Sequence, residues 1–164
     1  MRILNAFVTF CVISLVSCTS NPRDPAFASV DAKVQDLGMR LSFDLVDGGY
    51  TVFATEANDE TIARAVGHLK DLRQGMSLTE LDYERRFSFF LSGSPITDKA
   101  VDDILTLQVT QVRLNGTNVT SKSLQLLQDN EYLRVLVIGE KQFSEDEVKS
   151  FSVSRPSVVI LMEE

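Results

Sequence analysis

Apolar and polar residues alternate in four short runs along the second half of the chain. In each run two apolar side chains lie two positions apart, which is the spacing of a strand that buries one face. The four pairs are Phe89 and Leu91, Val112 and Leu114, Leu136 and Ile138, and Val159 and Leu161. The second members of successive pairs are 23, 24 and 23 residues apart. The pattern predicts four strands that recur at a nearly constant interval, with these residues facing inward.

Each of the first three strands is followed by apolar residues at helical spacing. The sets are Val101, Ile104 and Leu105, then Leu124 and Leu127, then Val148 and Phe151. One strand and one helix per unit of about 20–30 residues is typical of a solenoid, in which each unit covers the apolar face of its neighbour. We therefore expect an α/β fold with parallel strands on one face and helices on the other.

The region before these units predicts a cap for the array. Residues 30–37 carry a helical apolar stripe, and Gly38 follows, where a helix C-terminus favours positive φ. Two alternating segments, residues 39–46 and 50–55, flank Asp47-Gly48-Gly49, a turn sequence that favours a β-hairpin. A terminal unit cannot bury its apolar face alone, so we expect this helix and hairpin to cover the N-terminal end.

Residues 59–72 predict a further helix, whereas residues 73–86 follow no clear period. Met76 and Leu78 could form one more strand. However, Leu91 comes only 13 residues after Leu78, which is too few for a full unit. The segment is therefore either a truncated unit or an irregular connection, and the number of units stays open.

Three of the units share a longer motif. It reads Phe89-x-Leu91-x-x-Ser94-x-Ile96, Val112-x-Leu114-x-x-Thr117-x-Val119 and Leu136-x-Ile138-x-x-Lys141-x-Phe143. The motif resembles leucine-rich repeats. Residues 91–98 and 114–120 are particularly similar to the L-S-G-T-x-V-T-D repeats of bacterial leucine-rich-repeat lipoproteins, and residues 30–55 resemble the helix and hairpin that precede those repeats. Lys141 departs from the pattern, because it would break the side-chain ladder at a position that is often Asn.

The resemblance implies a leucine-rich-repeat domain over residues 30–164, with a cap over 30–55 and repeats over 56–164. It also implies protein recognition through the exposed strand face. Alternation independently turns two rows of side chains outward. The first row is Phe90, Arg113, Val137 and Ile160, and the second is Ser88, Gln111, Val135 and Val158.

We expect an unidentified protein or peptide to bind this strand face. The residues expected to contact it are Phe90, Arg113, Val137, Ile160, Gln111 and Val135. A mostly apolar patch on an acidic domain commonly marks an interaction site. Two other interpretations stay open: the N-terminal tether covers the face, or its β-branched residues are there as good strand formers.

The first 18 residues have the form of an export signal. Arg2 is followed by a largely apolar run over residues 3–16, which is shorter than a bilayer span. The run leads into Leu15-Val16-Ser17-Cys18, which resembles the lipobox of bacterial lipoproteins. The resemblance implies that residues 1–17 are removed as a signal peptide and that Cys18 carries the lipid. The alternative is an ordinary secretory signal with an unrelated cysteine.

A lipid on Cys18 would anchor the protein to a membrane of the bacterial cell envelope. Thr19 at the next position is compatible with sorting to the outer membrane. Residues 18–29 contain Pro22 and Pro25 and are expected to form an extended tether. The expected function is membrane-tethered, non-enzymatic protein binding. The alternative is a structural envelope lipoprotein that associates with copies of itself.

Composition argues against several other functions. A formal net charge of −7 disfavours nucleic acid and anionic lipid surfaces, which attract basic proteins. Both cysteines, Cys11 and Cys18, precede the folded region, and His68 is the only histidine, so no metal site based on these residues is expected. Ser144 and the acidic residues 145–147 that follow it have the form of a capping box. We expect neither enzymatic activity nor a cofactor.

Overall fold

The computed structural model describes residues 26–44, 49–73 and 86–163 of the chain. In these ranges the protein is an α/β structure with a six-stranded, mostly parallel sheet and five α-helices. The strands are β1 (Arg40–Asp44), β2 (Gly49–Phe53), β3 (Arg86–Phe90), β4 (Gln108–Arg113), β5 (Val135–Gly139) and β6 (Val159–Glu163). The helices are α1 (Phe27–Gln35), α2 (Asp59–Leu69), α3 (Asp98–Ile104), α4 (Ser121–Gln128) and α5 (Glu145–Ser154), with a 3₁₀ turn at Lys70–Arg73.

The strands lie side by side in the order of the sequence. β1 and β2 run antiparallel, as predicted for a hairpin, although its turn lies outside the described residues. Every later pair is parallel, and an α-helix lies between each strand and the next from β2 onward. Each helix packs against the helix before it, so the helices form a row beside the sheet.

The inward residues predicted for β3, β4 and β5 occupy neighbouring positions in the core. Phe89 is in register with Val112, and Val112 with Leu136, and all three side chains are fully buried. The second members, Leu91, Leu114 and Ile138, are also buried. Burying a side chain of this size contributes roughly 1.5–3 kcal/mol, so this layer is a main source of stability.

In β6 the predicted orientation is wrong by one residue. The register pairs Leu136 with Ile160 and Ile138 with Met162. Val159 and Leu161, which were predicted to face inward, are 55% and 44% exposed. Residues 158–162 are apolar at every position, so alternation in this stretch cannot distinguish the buried face from the exposed face.

The helix of the cap begins earlier than expected. α1 starts at Phe27, inside the segment predicted as a tether, and the Phe27 side chain is only 3% exposed. Its ring stacks on Tyr50 of β2 with the centroids 6.0 Å apart. The last residues of the predicted tether therefore belong to the folded domain.

Met76 and Leu78, the candidates for one more strand, lie outside the described residues.

Two matching hydrogen-bonded joints connect consecutive helices at their N-termini. The backbone N–H and hydroxyl of Thr97 donate to the two carboxylate oxygens of Asp59, at 2.8 and 2.6 Å. Thr120 makes the same two bonds to Asp98, at 2.8 and 2.6 Å. Each threonine is also the N-cap of its own helix, so one residue starts a helix and fixes it to the previous one.

The turns after β3 and β4 repeat in the same way. Gly93 and Gly116 have φ of 74° and 71°, a left-handed conformation that favours glycine. After β5, Lys141 is exposed, and the neighbouring Gln142 makes the inward contacts. Its side-chain amide donates to the carbonyl of Leu114 at 2.9 Å. The predicted break in the ladder is thus bridged by the next residue along the chain.

Candidate protein-binding face

One row of outward side chains crosses the sheet from edge to edge. It is called the central row, and its members are in register on successive strands. The members are Arg40, Phe53, Phe90, Arg113, Val137 and Leu161. No described helix lies between these residues and solvent, because the helices pack against the opposite face. The predicted outward orientation of Phe90 and Arg113 is confirmed.

The first four members of the central row form a continuous stack. The guanidinium of Arg40 lies 4.5 Å from the ring centroid of Phe53. The rings of Phe53 and Phe90 meet edge to face, with centroids 5.0 Å apart. Arg113 lies over the other side of Phe90, 4.6 Å from its centroid. Cation–π and aromatic pairs each contribute about 0.5–1.5 kcal/mol, so these contacts hold the four side chains in a fixed arrangement.

The two arginines of the central row differ in their ion pairs: Arg113 pairs with an acidic residue, whereas Arg40 pairs with none of the described acidic residues. The Arg113 guanidinium pairs with Glu163 of β6 at 3.2 Å, and both side chains are partly exposed. Among the described residues Arg40 forms no ion pair, and it is exposed. Within the described residues, the central row therefore presents one guanidinium without an acidic partner, that of Arg40, beside two aromatic rings, on a chain whose net charge is −7.

Val137 lies on the outward side of β5 but cannot contact a partner. To reach Glu163 on β6, the Arg113 side chain must cross β5, and Val137 is the β5 residue in register with Arg113. Val137 is fully buried, although it does not belong to the core beneath the sheet. The predicted contact role of Val137 is therefore corrected: this side chain supports the surface above it.

The predicted outward orientation of Ile160 is also corrected. Its register with Leu136 places it on the inward side, where it packs partly against the core. Leu161 takes its place in the central row and is 44% exposed. Cys18, the predicted lipid-bearing residue, lies outside the described residues.

The second outward row is more polar than the central row, and its members are half-buried except for Val159, which is exposed. It contains Thr51, Ser88, Gln111, Val135 and Val159 in register. Gln111 and Val135 are neighbours, as predicted, but Val158 is buried and Val159 takes its outward position. A bulge in β4 inserts Thr110 between Val109 and Gln111, so the spacing of the two rows changes at this strand.

An open cleft adjoins the face at the ends of β4, β5 and β6. Its volume is about 540 Å³, and Glu140, Lys141 and Glu163 supply its charged lining. The glycines Gly116 and Gly139 line it as well and keep it accessible. Because Glu163 belongs both to the cleft and to the ion pair with Arg113, the cleft is continuous with the central row.

The acidic groups with shifted pKa values lie at helix N-termini, away from this face. Burial of Asp98 opposes its ionisation, but hydrogen bonds from Ser123 and Thr120 outweigh this and lower its pKa. Hydrogen bonds from the Ser144 hydroxyl and backbone lower the pKa of Glu147, in the capping box predicted from the sequence. Both groups act in helix capping.

No known family model matches this chain, and no curated protein matches it. The face must therefore be interpreted from its own geometry. In the described ranges, no group of three or more His, Cys, Asp or Glu side chains is placed to hold a metal ion. Within the same ranges, no helix is both long and apolar enough to cross a bilayer.

The sequence did not reveal two important residues of the face. Glu163 was missed because the orientation of β6 was predicted one residue out of register. Arg40 lies opposite Phe53 in the register of the hairpin. A turn over residues 47–49, as predicted, would set Arg40 opposite Glu56 instead, so the predicted pairing does not place Arg40 in the central row.

Proposed function

We propose that this chain is a lipid-anchored leucine-rich-repeat protein that binds another protein through the central row and has no enzymatic activity. The observation that carries the proposal is the continuous stack of Arg40, Phe53, Phe90 and Arg113 on the sheet face. Ordered aromatic and arginine side chains are the residue types most enriched at the energetic centres of interfaces.

Three features support the leucine-rich-repeat class. The inward residues of β3, β4 and β5 recur at intervals of 23 and 24 residues on adjacent parallel strands. Gly93 and Gly116 occupy the same turn position with nearly equal φ. Ser94 and Thr117 follow these glycines, and both hydroxyls donate to backbone carbonyls: Ser94 to Ala54, which follows the neighbouring strand β2, and Thr117 to Leu114 within its own turn.

The chemistry of the face favours a particular partner. Arg40 offers a guanidinium that no acidic side chain of the described residues pairs with and that can take a carboxylate, and Phe53 and Phe90 offer ring surface for apolar side chains. Arg113 is already paired and adds little attraction for a second acid. The partner segment therefore has an acidic residue at the β1–β2 side and apolar residues across β2 and β3.

The anchor is proposed from the lipobox-like sequence that ends at Cys18. A Cys18→Ser variant of the full-length chain should leave the membrane fraction or accumulate unprocessed, whereas Cys11→Ser should behave as wild type. Mass spectrometry of the purified chain should find the mature N-terminus at residue 18 with an added lipid mass. An unmodified Cys18 in a membrane-free protein would overturn the anchor.

Binding through the face is tested by crosslinking in envelope membranes followed by mass spectrometry. Phe90→Asp should lose the proteins that the wild-type chain captures. Val153→Asp is the matched control, because Val153 is 75% exposed on α5 and lies on the helical side. Circular dichroism must show both variants folded. If Phe90→Asp and Val153→Asp capture the same proteins as wild type, the face is not the binding site.

A specific observation favours the second candidate function, self-association. It is the edge strand β6, which exposes the apolar side chains of Val159, Leu161 and Met162.

A further inference from the structure

β6 forms one edge of the sheet and carries exposed apolar residues on both of its faces. It pairs with β5 on one side, and no described strand pairs with its other side. Val159 and Leu161 on the outward face are 55% and 44% exposed, and Met162 on the inward face is 55% exposed. This combination is unusual, because a strand of a folded domain normally buries at least one face.

The open edge also presents unpaired backbone groups. Val159 donates its N–H to Arg134 at 2.8 Å, and the Glu163 carbonyl accepts from Glu140 at 3.1 Å, so the odd-numbered residues bond toward β5. Because the direction alternates along a strand, the N–H and C=O groups of Ile160 and Met162 point toward the open side. The edge therefore offers two donors and two acceptors.

β6 lacks the features by which edge strands usually prevent pairing. Residues 159–163 contain no lysine, proline or glycine, and the one charged side chain, Glu163, is drawn toward Arg113. Such edges readily accept another strand.

We propose that β6 pairs antiparallel with β6 of a second copy of this chain, which joins the two sheets across a twofold axis. In the register centred on Leu161, Ile160 lies opposite Met162 of the second copy, and Leu161 faces its own equivalent. This register uses both donors and both acceptors of each copy. At its centre it matches apolar side chains on both faces, at its ends it sets Val159 opposite Glu163, and it places no like charges opposite each other.

The neighbouring registers are less favourable for identifiable reasons. Centring the pair on Ile160 would set Met162 opposite Val158, whose N–H already donates to Arg155 at 3.0 Å. Centring it on Met162 would leave the backbone N–H and C=O of Ile160 without an opposing residue, because Ile160 would lie beyond Glu163, where β6 of the second copy ends. β6 is complementary to itself in only one of these registers. This favours a second copy of the chain, rather than an arbitrary strand, as the partner of the open edge.

The register is tested with single engineered cysteines in the full-length chain carrying Cys11→Ser and Cys18→Ser, solubilised in mild detergent. Leu161→Cys should form a disulfide-linked dimer under mild oxidation. Facing non-hydrogen-bonded residues in antiparallel strands lie about 4.5 Å apart between Cα atoms, which suits a disulfide. Val159→Cys is the control and should stay monomeric, because four residues of strand, about 13 Å, separate it from its equivalent.

Reversible association is measured by sedimentation of the chain without added cysteines. Met162→Lys should raise the dimer dissociation constant by about tenfold or more, the change that corresponds to about 1.4 kcal/mol, while Val153→Lys should leave it unchanged. Equal crosslinking of Leu161→Cys and Val159→Cys, no crosslinking of either, or a wild-type chain that stays monomeric at all concentrations would overturn the proposal. None of these results depends on the partner of the central row.

Discussion

Arg113 on β4 and Glu163 on β6 form an ion pair at 3.2 Å that spans the intervening strand β5. The pair connects residues 50 positions apart in the chain and covers Val137, which is fully buried beneath it. It also holds Arg113 against Phe90, 4.6 Å from the ring centroid. One side chain therefore links the aromatic stack to the edge strand.

The first prediction concerns this ion pair. Glu163→Gln should lower the free energy of unfolding by about 0.5–1 kcal/mol, because both partners are partly exposed and solvent screens them. Urea denaturation measures the change, with Glu140→Gln as the exposed control. Equal stability of the two variants would show that the pair contributes nothing.

A second prediction concerns the stacked rings. Phe90→Leu keeps an apolar side chain but removes the edge-to-face contact with Phe53 and the contact with Arg113. We expect a loss of about 1–2 kcal/mol in stability, from two contacts of about 0.5–1.5 kcal/mol each. Thermal unfolding followed by circular dichroism provides the measurement. If Phe90→Leu is as stable as the wild type, the stack is not preorganised.

The third prediction follows from the lowered pKa of Asp98. A carboxyl group whose pKa is depressed on folding contributes stability above its unfolded pKa of about 3.9, and this contribution is lost as the pH falls through the folded pKa. Asp98→Asn should therefore destabilise the protein at pH 7, by about 1–2 kcal/mol for the weakened bonds from Thr120 and Ser123. The difference from the wild type should shrink as the pH falls below about 4.

The control for this prediction is Asp102→Asn on the same helix, where the side chain is exposed. Its stability at pH 7 should equal that of the wild type, because the Asp102 side chain is exposed. A difference between wild type and Asp98→Asn that is independent of pH would contradict an ionised Asp98 in the joint.

A fourth prediction compares two glycines. Gly116→Ala should destabilise the protein by about 1–2 kcal/mol, because φ at this turn is 71° and an L residue is strained there. Gly67→Ala should instead stabilise it by about 0.5–1 kcal/mol, since an added Cβ meets nothing within 4 Å and alanine favours the interior of α2. Changes of the same sign in denaturation experiments would contradict this assignment of the turn.

The sequence alone predicts the inner layer of the sheet, and the physical reason is clear. Ser88 in β3 and Arg113 in β4 each separate two buried apolar residues, which distinguishes the inward face from the outward one. In β6 that separation is missing, and Ile160 could not be distinguished from Leu161 as the inward residue. The start of α1 was also misplaced, because Phe27 follows two prolines and precedes the recognisable stripe.

The composition of the outer face was harder to predict than its position. The alternation of Phe90 and Arg113 with their inward neighbours predicted both as outward residues, and the register confirms this. The burial of Val137 could not be predicted, because it depends on a contact between strands separated by a third. Side chains that reach across a sheet leave no periodic signal along the chain.

The joints between helices have a consequence for the length of this protein. Asp59 with Thr97 and Asp98 with Thr120 are one connection used twice. Excision of residues 98–120 would leave Thr97 on Asp59, bring Phe90 beside Val137 and preserve the spacing of every remaining module. The number of strand–helix units, and with it the width of the sheet, can therefore change by whole insertions or deletions, whereas a shift of one or two residues would break the joint at which it occurs.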